Sequence, residues 1–302
     1  RERQEWQATS KLKGPGSRFC RVTAALRLAL ILPCLFWHCT PEPRATVLPL
    51  QGVVDLDYDL RLREFLIGTR DAVYSMGPSG RLRLLYQLPL ESNLQALQMH
   101  NLSGQLLLLL SPAGTSATAP GLLSLSGGST RSIALPLEMQ APQAMDSNRG
   151  TIYVTDRQRP IIAILSANRP PEILIENSHF LRNGLALGGI VFARGNYLLI
   201  SQLSTGQLYR VPVNNPYNFR SVQVKENVPP AHKLLWTPGA ELALIAEERI
   251  LYLESRDDWE TARVVHQGNL PQIQSAAVAG QRLYLATNPV RPSSALSGSG
   301  QP

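Results

Sequence analysis

Few residues in this sequence have a type and spacing that could carry chemistry. Asp55 alternates with Asp57 and Asp59 in VVDLDYD, a spacing that places three carboxyl groups on one face of a β-strand. His232 precedes a short apolar segment in PPAHKLLW, where its imidazole could act as a base or bind a soft metal. Both observations also fit plainer interpretations: the polar face of an alternating strand for Asp55, and an exposed loop for His232.

Familiar catalytic motifs are absent from the sequence. It contains no G-x-S-x-G elbow, no H-E-x-x-H pair and no EF-hand loop, and the Gly/Ser-rich stretch 124–132 lacks the lysine of a P-loop. The three cysteines, Cys20, Cys34 and Cys39, all precede residue 45. Thiol catalysis, cysteine-bound zinc and a disulfide framework are therefore excluded for the rest of the chain.

The positive charge is concentrated at the N-terminus. The formal net charge is +7, yet residues 1–44 hold eight of the 29 basic residues and three of the 22 acidic ones. The remainder carries 21 basic and 19 acidic residues and is nearly neutral. A nearly neutral domain offers no electrostatic basis for binding nucleic acid, so we expect no nucleic-acid partner.

Residues 1–45 have the composition of a leader. The apolar run LALILPCLFW (28–37) is ten residues long and follows Arg21 and Arg27. A membrane-spanning helix needs about 20 apolar residues, whereas a run of this length is typical of a secretory signal peptide. We therefore predict export to a periplasmic, lumenal or secreted location. An uncleaved membrane anchor and a partly disordered extension are the alternatives, and membrane contact is expected only through an uncleaved leader.

Short apolar runs recur along the rest of the chain at a nearly constant period. They start at residues 65, 106, 151, 197, 241 and 282, which are 41 to 46 residues apart. A period of about 40–45 residues is the length of a propeller blade. Each unit contains enough short runs for a four-stranded antiparallel meander, and such a sheet buries both faces only when it is packed between neighbours.

We therefore predict an all-β, six-bladed β-propeller over residues 46–288. The Pro/Ser/Gly-rich segment 289–302 is predicted to be a disordered tail. Since the sixth unit ends early, residues 46–51 are expected to complete its blade. A pair of β-sandwiches would also have regularly spaced short strands, but it would not explain the recurrence.

Several segments resemble the gluconolactonase-like (regucalcin, or senescence-marker) propeller family. They are DSNRGTIYVTD followed by PII (146–162), GIVF (189–192), GNYLLI (195–200) and TGQLYRVP (205–212). The resemblance extends over roughly residues 47–288. It implies a divalent cation at the top of the central channel, held by one Glu, by Asn side chains and by one Asp. That cation would polarise a lactone or ester carbonyl and activate water.

The family's ligand positions are poorly matched in this chain. Counting back from each strand places them at Val54 beside Asp55, at Gln95, at Ala141, at Gly188 and at His232. Asn183, in FLRNGL, resembles the family's Asn-Gly but lies five residues early, where an ordinary Asn-Gly turn is the alternative. The residues expected to line the channel are Asp55, Gln95, Asn183, Gly188 and His232. Because hard cations prefer several carboxylates, no metal or cofactor is expected.

Two functional hypotheses follow from this resemblance. The first is a binding propeller that accepts a small molecule or a protein partner at the mouth of its channel. The alternative is an active metal-dependent lactonase or esterase, with Asp55 and His232 as candidate catalytic residues. Its altered ligand set of Asp55, Gln95, Asn183 and His232 would hold Ca²⁺ or Zn²⁺. Fold analogy does not decide between them or against a purely structural scaffold.

Overall fold

A computed structural model describes residues 45–100, 103–114, 119–166 and 169–288 of the chain. These residues form six β-sheets arranged in a ring, with two short 3-10 helices at Ser178–Phe180 and Pro216–Asn218. The fold is an all-β six-bladed propeller, as the repeat predicted. The leader over residues 1–45 and the tail over 289–302 lie outside the described residues, apart from residue 45. No described helix is long and apolar enough to cross a bilayer.

The N-terminal strand and the first two blades follow one another along the chain. The strands are β1 (Thr46–Pro49), then β2 (Val53–Asp59), β3 (Glu64–Thr69), β4 (Ala72–Met76) and β5 (Leu82–Gln87) in blade 1, and β6 (Ser92–His100), β7 (Gln105–Pro112), β8 (Gly121–Ser126) and β9 (Ser129–Ala134) in blade 2. Both blades are antiparallel meanders with the first strand innermost.

Blades 3 and 4 repeat this arrangement. Their strands are β10 (Pro142–Asn148), β11 (Thr151–Asp156), β12 (Ile161–Ser166) and β13 (Arg169–Glu176) in blade 3, and β14 (Leu187–Ala193), β15 (Tyr197–Gln202), β16 (Leu208–Pro212) and β17 (Arg220–Ser221) in blade 4. The predicted runs 151–156 and 197–202 coincide with β11 and β15. In each of these blades, every strand pairs with the strand that follows it in the sequence.

The last two blades depart from the predicted four antiparallel strands. Blade 5 gains a parallel edge strand, since β18 (Gln223–Val224) pairs with the outer strand of the meander. Blade 6 has three described strands. The remaining strands are β19 (Lys233–Trp236), β20 (Leu242–Ile245), β21 (Arg249–Glu254) and β22 (Thr261–Asn269) in blade 5, and β23 (Ile273–Ala279) and β24 (Arg282–Thr287) in blade 6.

The ring closes through the N-terminal strand, as predicted. β1 lies beside β24, with Thr46 opposite Tyr284 and Pro49 opposite Thr287, but the pairing is parallel. The direction follows from the topology. β1 leads into the inner strand β2, so it must run opposite to the inner strands. β24 also runs opposite to them, because it is antiparallel to the inner strand β23, and β1 and β24 are therefore parallel.

The hydrophobic core is divided among the interfaces between neighbouring blades. In blade 2, Leu108 and Leu109 are both fully buried although they point to opposite faces of the sheet. Leu108 packs in the cluster shared with blade 1, and Leu109 packs in the cluster shared with blade 3. The continuous apolar run from 106 to 110 is thus explained by a sheet that is covered on both sides.

Candidate functional site

The inner strands β2, β6, β10, β14, β19 and β23 surround a cavity of about 690 Å³ along the propeller axis. One end lies where these strands begin, and the other lies where they end. The side chains at the two ends differ in type.

A β-bulge recurs at the beginning of the inner strands. The register shifts between Val53 and Asp55 in β2, and at the equivalent places in β6, β10, β14 and β23. An extra residue in one strand re-aims its side chain, which is why bulges recur beside functional sites. The residues at this level that line the cavity are Val54, Gln95, Gln143, His232 and Gln274.

Four of these side chains, Gln95, Gln143, His232 and Gln274, form what we call the amide ring. All four are half-buried. Gln95 Nε2 donates to Ser111 Oγ at 2.7 Å. His232 Nε2 lies 2.9 Å from the carbonyl oxygen of Gln274. Because a carbonyl only accepts, Nε2 carries the proton and Nδ1 of the neutral ring is an acceptor. Burial lowers the pKa of His232, which favours this neutral form.

Asp55 and Lys233 form an ion pair next to the amide ring. Lys233 Nζ lies 2.6 Å from Asp55 Oδ1, and the two side chains are 22% and 9% exposed. The ammonium also donates to the carbonyl oxygen of Leu56 at 2.7 Å and to Ser275 Oγ at 3.1 Å. Asp55 further accepts the hydroxyl of Ser275 and, at 2.8 Å, the backbone N–H of Leu97 in blade 2. The carboxylate is therefore compensated in charge and in hydrogen bonds.

Two more carboxyl groups lie nearer the other end of the channel. Asp57 accepts the N–H of Met99 at 2.6 Å, and Asp146 accepts the N–H of Phe192 at 2.6 Å. Gln98 Nε2 donates to Asp146 Oδ1 at 2.6 Å. Neither carboxyl has a lysine or arginine within ion-pair distance among the described residues. Burial raises the pKa of Asp57 to about 6 and also raises the pKa of Asp146.

Side-chain hydrogen bonds around the channel link every blade to the next. In ring order from blade 1, the pairs are Asp57 with Met99, Gln98 with Asp146, Asp146 with Phe192, Trp236 with Phe192, Lys233 with Ser275, and Ser275 with Asp55. The innermost strands would otherwise leave backbone N–H groups unpaired beside the cavity. The channel carboxylates therefore have a structural role.

The structure places the predicted site residues in two groups. Asp55, Gln95 and His232 line the cavity. Asn183 and Gly188 are not among its lining residues. Asn183 is exposed and has a φ of 51°, in a tight turn where Arg182 and Leu185 exchange backbone hydrogen bonds, so the ordinary Asn-Gly turn is what forms.

Gly188 instead packs in the wall between blades. Its carbonyl accepts the hydroxyl of Thr155 at 2.7 Å. A Cβ added at this position would lie 2.4 Å from the carbonyl oxygen of Ala231, which precedes the inner strand of blade 5. The glycine therefore permits a close approach of two backbones and contributes no group to the channel.

Sequence reasoning missed several residues that line the cavity. Counting back from the strand of blade 3 gave Ala141, but the turn after the inner strand has two residues in blade 3 and four in blades 1 and 2, so Gln143 lies at this level. Gln274 was missed in blade 6, and so was Lys233, which follows His232 directly. The available signal was the recurrence of glutamine near the start of three inner strands. The partner of Lys233 lies 178 positions away and has no local signal.

The donor set does not fit the cation that the resemblance implies. Within the part of the chain that the structure describes, no three His, Cys, Asp or Glu side chains converge in a way that could hold a metal ion. The amide ring contains no carboxylate, and Asp55 is bound by the Lys233 ammonium. A hard cation requires several negatively charged oxygen ligands, so this ring is a poor match for one.

Comparisons with known proteins identify the fold. Neither a family model nor a curated protein matches the sequence. A streptogramin B lyase structure aligns with a TM-score of 0.59 at 12% identity, covering 80% of this chain and 78% of that one. A chain of a nidogen/laminin complex aligns with a TM-score of 0.61 at 11% identity, covering 76% and 86%. The similarity is one of fold.

A gluconolactonase from Xanthomonas campestris is a further structural neighbour. It aligns with a TM-score of 0.59 at 12% identity, covering 82% of this chain and 84% of that one. The three proteins share this fold but have different names. These comparisons therefore show a six-bladed propeller with a gluconolactonase among its neighbours, and they select no activity.

Proposed function

We propose that this chain is a gluconolactonase-like propeller that binds a small, uncharged polar molecule at the amide ring. The observation that carries the proposal is the convergence of three glutamine amides, each at a β-bulge, and the imidazole of His232 on one cavity. Its volume of about 690 Å³ lies in the range of small-molecule pockets, which span roughly 300–1,000 Å³.

The electrostatics of this end favour a neutral ligand. Glutamine amides both donate and accept, and the imidazole of His232 offers an acceptor at Nδ1. The negative charge of Asp55 is already compensated by Lys233. An ion entering here would lose its hydration without gaining a full opposite charge, which makes its transfer unfavourable. A neutral polar molecule exchanges hydrogen bonds with water for hydrogen bonds with the ring.

The ring does not supply what a metal-dependent hydrolase needs. In the alternative hypothesis, Asp55, Gln95, Asn183 and His232 would hold the cation, but Asn183 is an exposed turn residue and Asp55 is paired with an ammonium. A protein partner at the mouth would have to insert a side chain to reach the half-buried ring. Binding of a small molecule is the function that this geometry supports best.

A ligand screen with matched variants tests the proposal. Neutral, cationic and anionic fragments are screened by ligand-observed NMR against the native chain, Gln143→Leu and Gln105→Leu. Gln105 is exposed on blade 2 and serves as the control. We expect neutral hydrogen-bonding fragments to bind the native chain and the control, and to bind Gln143→Leu about tenfold more weakly, because the variant loses one or two hydrogen bonds.

Metal titration tests the alternative. Calcium or zinc chloride is added while the Tm is measured, and we expect no shift at micromolar concentration. A rise in Tm at that level would mean that the native state holds a cation. That result, or a screen in which only charged fragments compete for the ring, would contradict the proposal.

A further inference from the structure

We propose that a second pocket, beside the end of the channel opposite the amide ring, binds a planar aromatic carboxylate. The pocket has a volume of about 760 Å³ and lies between hairpins of blades 3, 4 and 5. We call it the tryptophan pocket. The residues that define it are Arg149, Phe192, Arg194, Tyr197, Trp236 and Trp259. This proposal is independent of ligand binding at the amide ring.

Aromatic rings are concentrated in this pocket. The chain has four tryptophans, and Trp236 and Trp259 are the two that follow residue 44. Their rings meet edge to face, with centroids 5.6 Å apart. Trp236 Nε1 donates to the carbonyl oxygen of Phe192 at 2.8 Å, which fixes the ring. Such fixed rings provide a surface against which a planar aromatic group can pack at little cost in conformational entropy.

Trp259 occupies a backbone conformation that its type disfavours. Asp258 and Trp259 have consecutive positive φ values of 57° and 65°. A bulky residue in the left-handed region is uncommon and needs support from its surroundings. Here the Tyr197 hydroxyl donates to Asp258 Oδ1 at 2.9 Å, and Ser255 Oγ accepts the N–H of Trp259 at 2.9 Å. The network holds the indole at the pocket in advance of any ligand.

The charges around the pocket are positive. Arg149 and Arg194 are exposed, and the structure gives neither an ion-pair partner among the described residues. No described carboxylate lines the pocket. The nearby Asp258 is engaged by Arg210 and by Tyr197. A guanidinium binds a carboxylate through two parallel N–H groups, so this rim is complementary to a planar anion.

The aromatic rings of the pocket account for the planar aromatic part of the proposed ligand, and the arginines account for its carboxylate. The ring system packs chiefly on the half-buried Trp236, since Trp259 is only 7% exposed and supports it from the core, and the carboxylate lies toward Arg149 and Arg194. A cationic aromatic ligand would be repelled by the same rim. Asn148, Phe192 and Trp236 line both this pocket and the channel, so a long ligand here can reach the channel end.

Fluorine NMR with a matched pair of probes tests the proposal on the full chain. The acid probe is fluoronaphthoate, and the neutral probe is the corresponding fluoronaphthamide. We expect the acid to bind at least about tenfold more tightly than the amide, because hydrogen bonds to charged groups are stronger than neutral ones. We also expect the indole N–H resonances of Trp236 and Trp259, assigned with Phe variants, to shift during titration.

Arginine variants locate the anionic group. Arg149→Gln and Arg194→Gln are each expected to weaken binding of the acid about fivefold to tenfold and to leave the amide unchanged. Arg131→Gln, at an exposed arginine on blade 2, is the matched control and should have no effect. Since these side chains are exposed, the variants should fold with an unchanged Tm, which is measured alongside.

Equal binding of acid and amide would overturn the proposal. So would binding of the acid that neither arginine variant weakens, or no binding of the acid at millimolar concentration. The Gln143→Leu variant separates the two proposals, since it should leave the acid probe unaffected. If the acid binds but Gln143→Leu abolishes its binding, the probe occupies the channel and the tryptophan pocket is not the site.

Discussion

At two levels of the channel, carboxylates accept backbone N–H groups of the next blade, but only one level has a cation that compensates the charge. At one level Asp55 accepts a backbone N–H of the next blade and pairs with Lys233 at 2.6 Å. At the next level Asp57 and Asp146 accept equivalent N–H groups but have no cation partner among the described residues. We call these the paired and the unpaired level.

The difference between the two levels shows that a carboxylate in a propeller channel can have a structural role. Inner strands expose backbone N–H groups, and a carboxylate on the neighbouring blade satisfies them. This structural role explains acidic residues at the channel without a metal. The compensating ammonium then decides how costly the buried charge is, because burial without a partner favours the neutral acid.

Removing the ammonium from the paired level should have the largest effect. Lys233→Met leaves the buried Asp55 carboxylate without its partner, and breaking such a pair costs about 3–5 kcal/mol of unfolding free energy. Urea denaturation measures the loss. The double variant Asp55→Asn/Lys233→Met should recover much of it. A loss below about 1 kcal/mol in the single variant would mean that the two levels do not differ in this way.

Removing an acceptor from the unpaired level should cost less. Asp146→Ala leaves the N–H of Phe192 and the amide of Gln98 without their acceptor, at a cost of about 2 kcal/mol in unfolding free energy. Asp146→Asn keeps one acceptor oxygen and removes the buried charge, so we expect it to lose less than Asp146→Ala. Equal losses in both variants would show that the charge itself, and not hydrogen bonding, supports this level.

The unpaired level should make stability depend on pH. The native pKa of Asp57 is raised from 3.8 to about 6, so the folded state binds a proton that the unfolded state releases. The resulting stabilisation is present at low pH and is lost as the pH rises through about 6. From about pH 7 to about pH 5, the native chain should gain about 1 kcal/mol relative to Asp57→Asn. Parallel curves for both proteins would contradict this assignment.

His232 should give the smallest effect, and one of opposite sign. Burial lowers its pKa, so the folded state resists protonation and loses stability as the pH falls below the usual value of 6.5. His232→Gln lacks this loss. The expected effect is small because the Gln274 carbonyl and Asp55 partly oppose burial. Urea denaturation across the same pH range measures the difference. A variant that loses stability on acidification as steeply as the native chain would exclude His232 as the cause.

The fold was predictable because it is repeated. The runs at 151–156, 197–202 and 282–287 coincide with strands, and their period reflects one meander per blade. The parallel pairing of Thr46–Pro49 with Arg282–Thr287 was not predicted, since strand direction depends on how the ring closes. The positions of the predicted site residues differ. Asp55, Gln95 and His232 line the cavity, whereas Asn183 and Gly188 do not.

The sequence alone determined the all-β class, the number of blades and the near-neutral charge of the domain, because these follow from periodicity and composition. Tertiary structure decided which side chains meet. The turn between the first two strands of blade 3 is two residues shorter than in blades 1 and 2, which brings Gln143 to the level where counting expected Ala141. Closure of the ring brings Lys233 to Asp55 across 178 positions. Local preferences act over a few residues, whereas the charge of a buried carboxylate depends on groups that only the closed ring brings within a few ångströms.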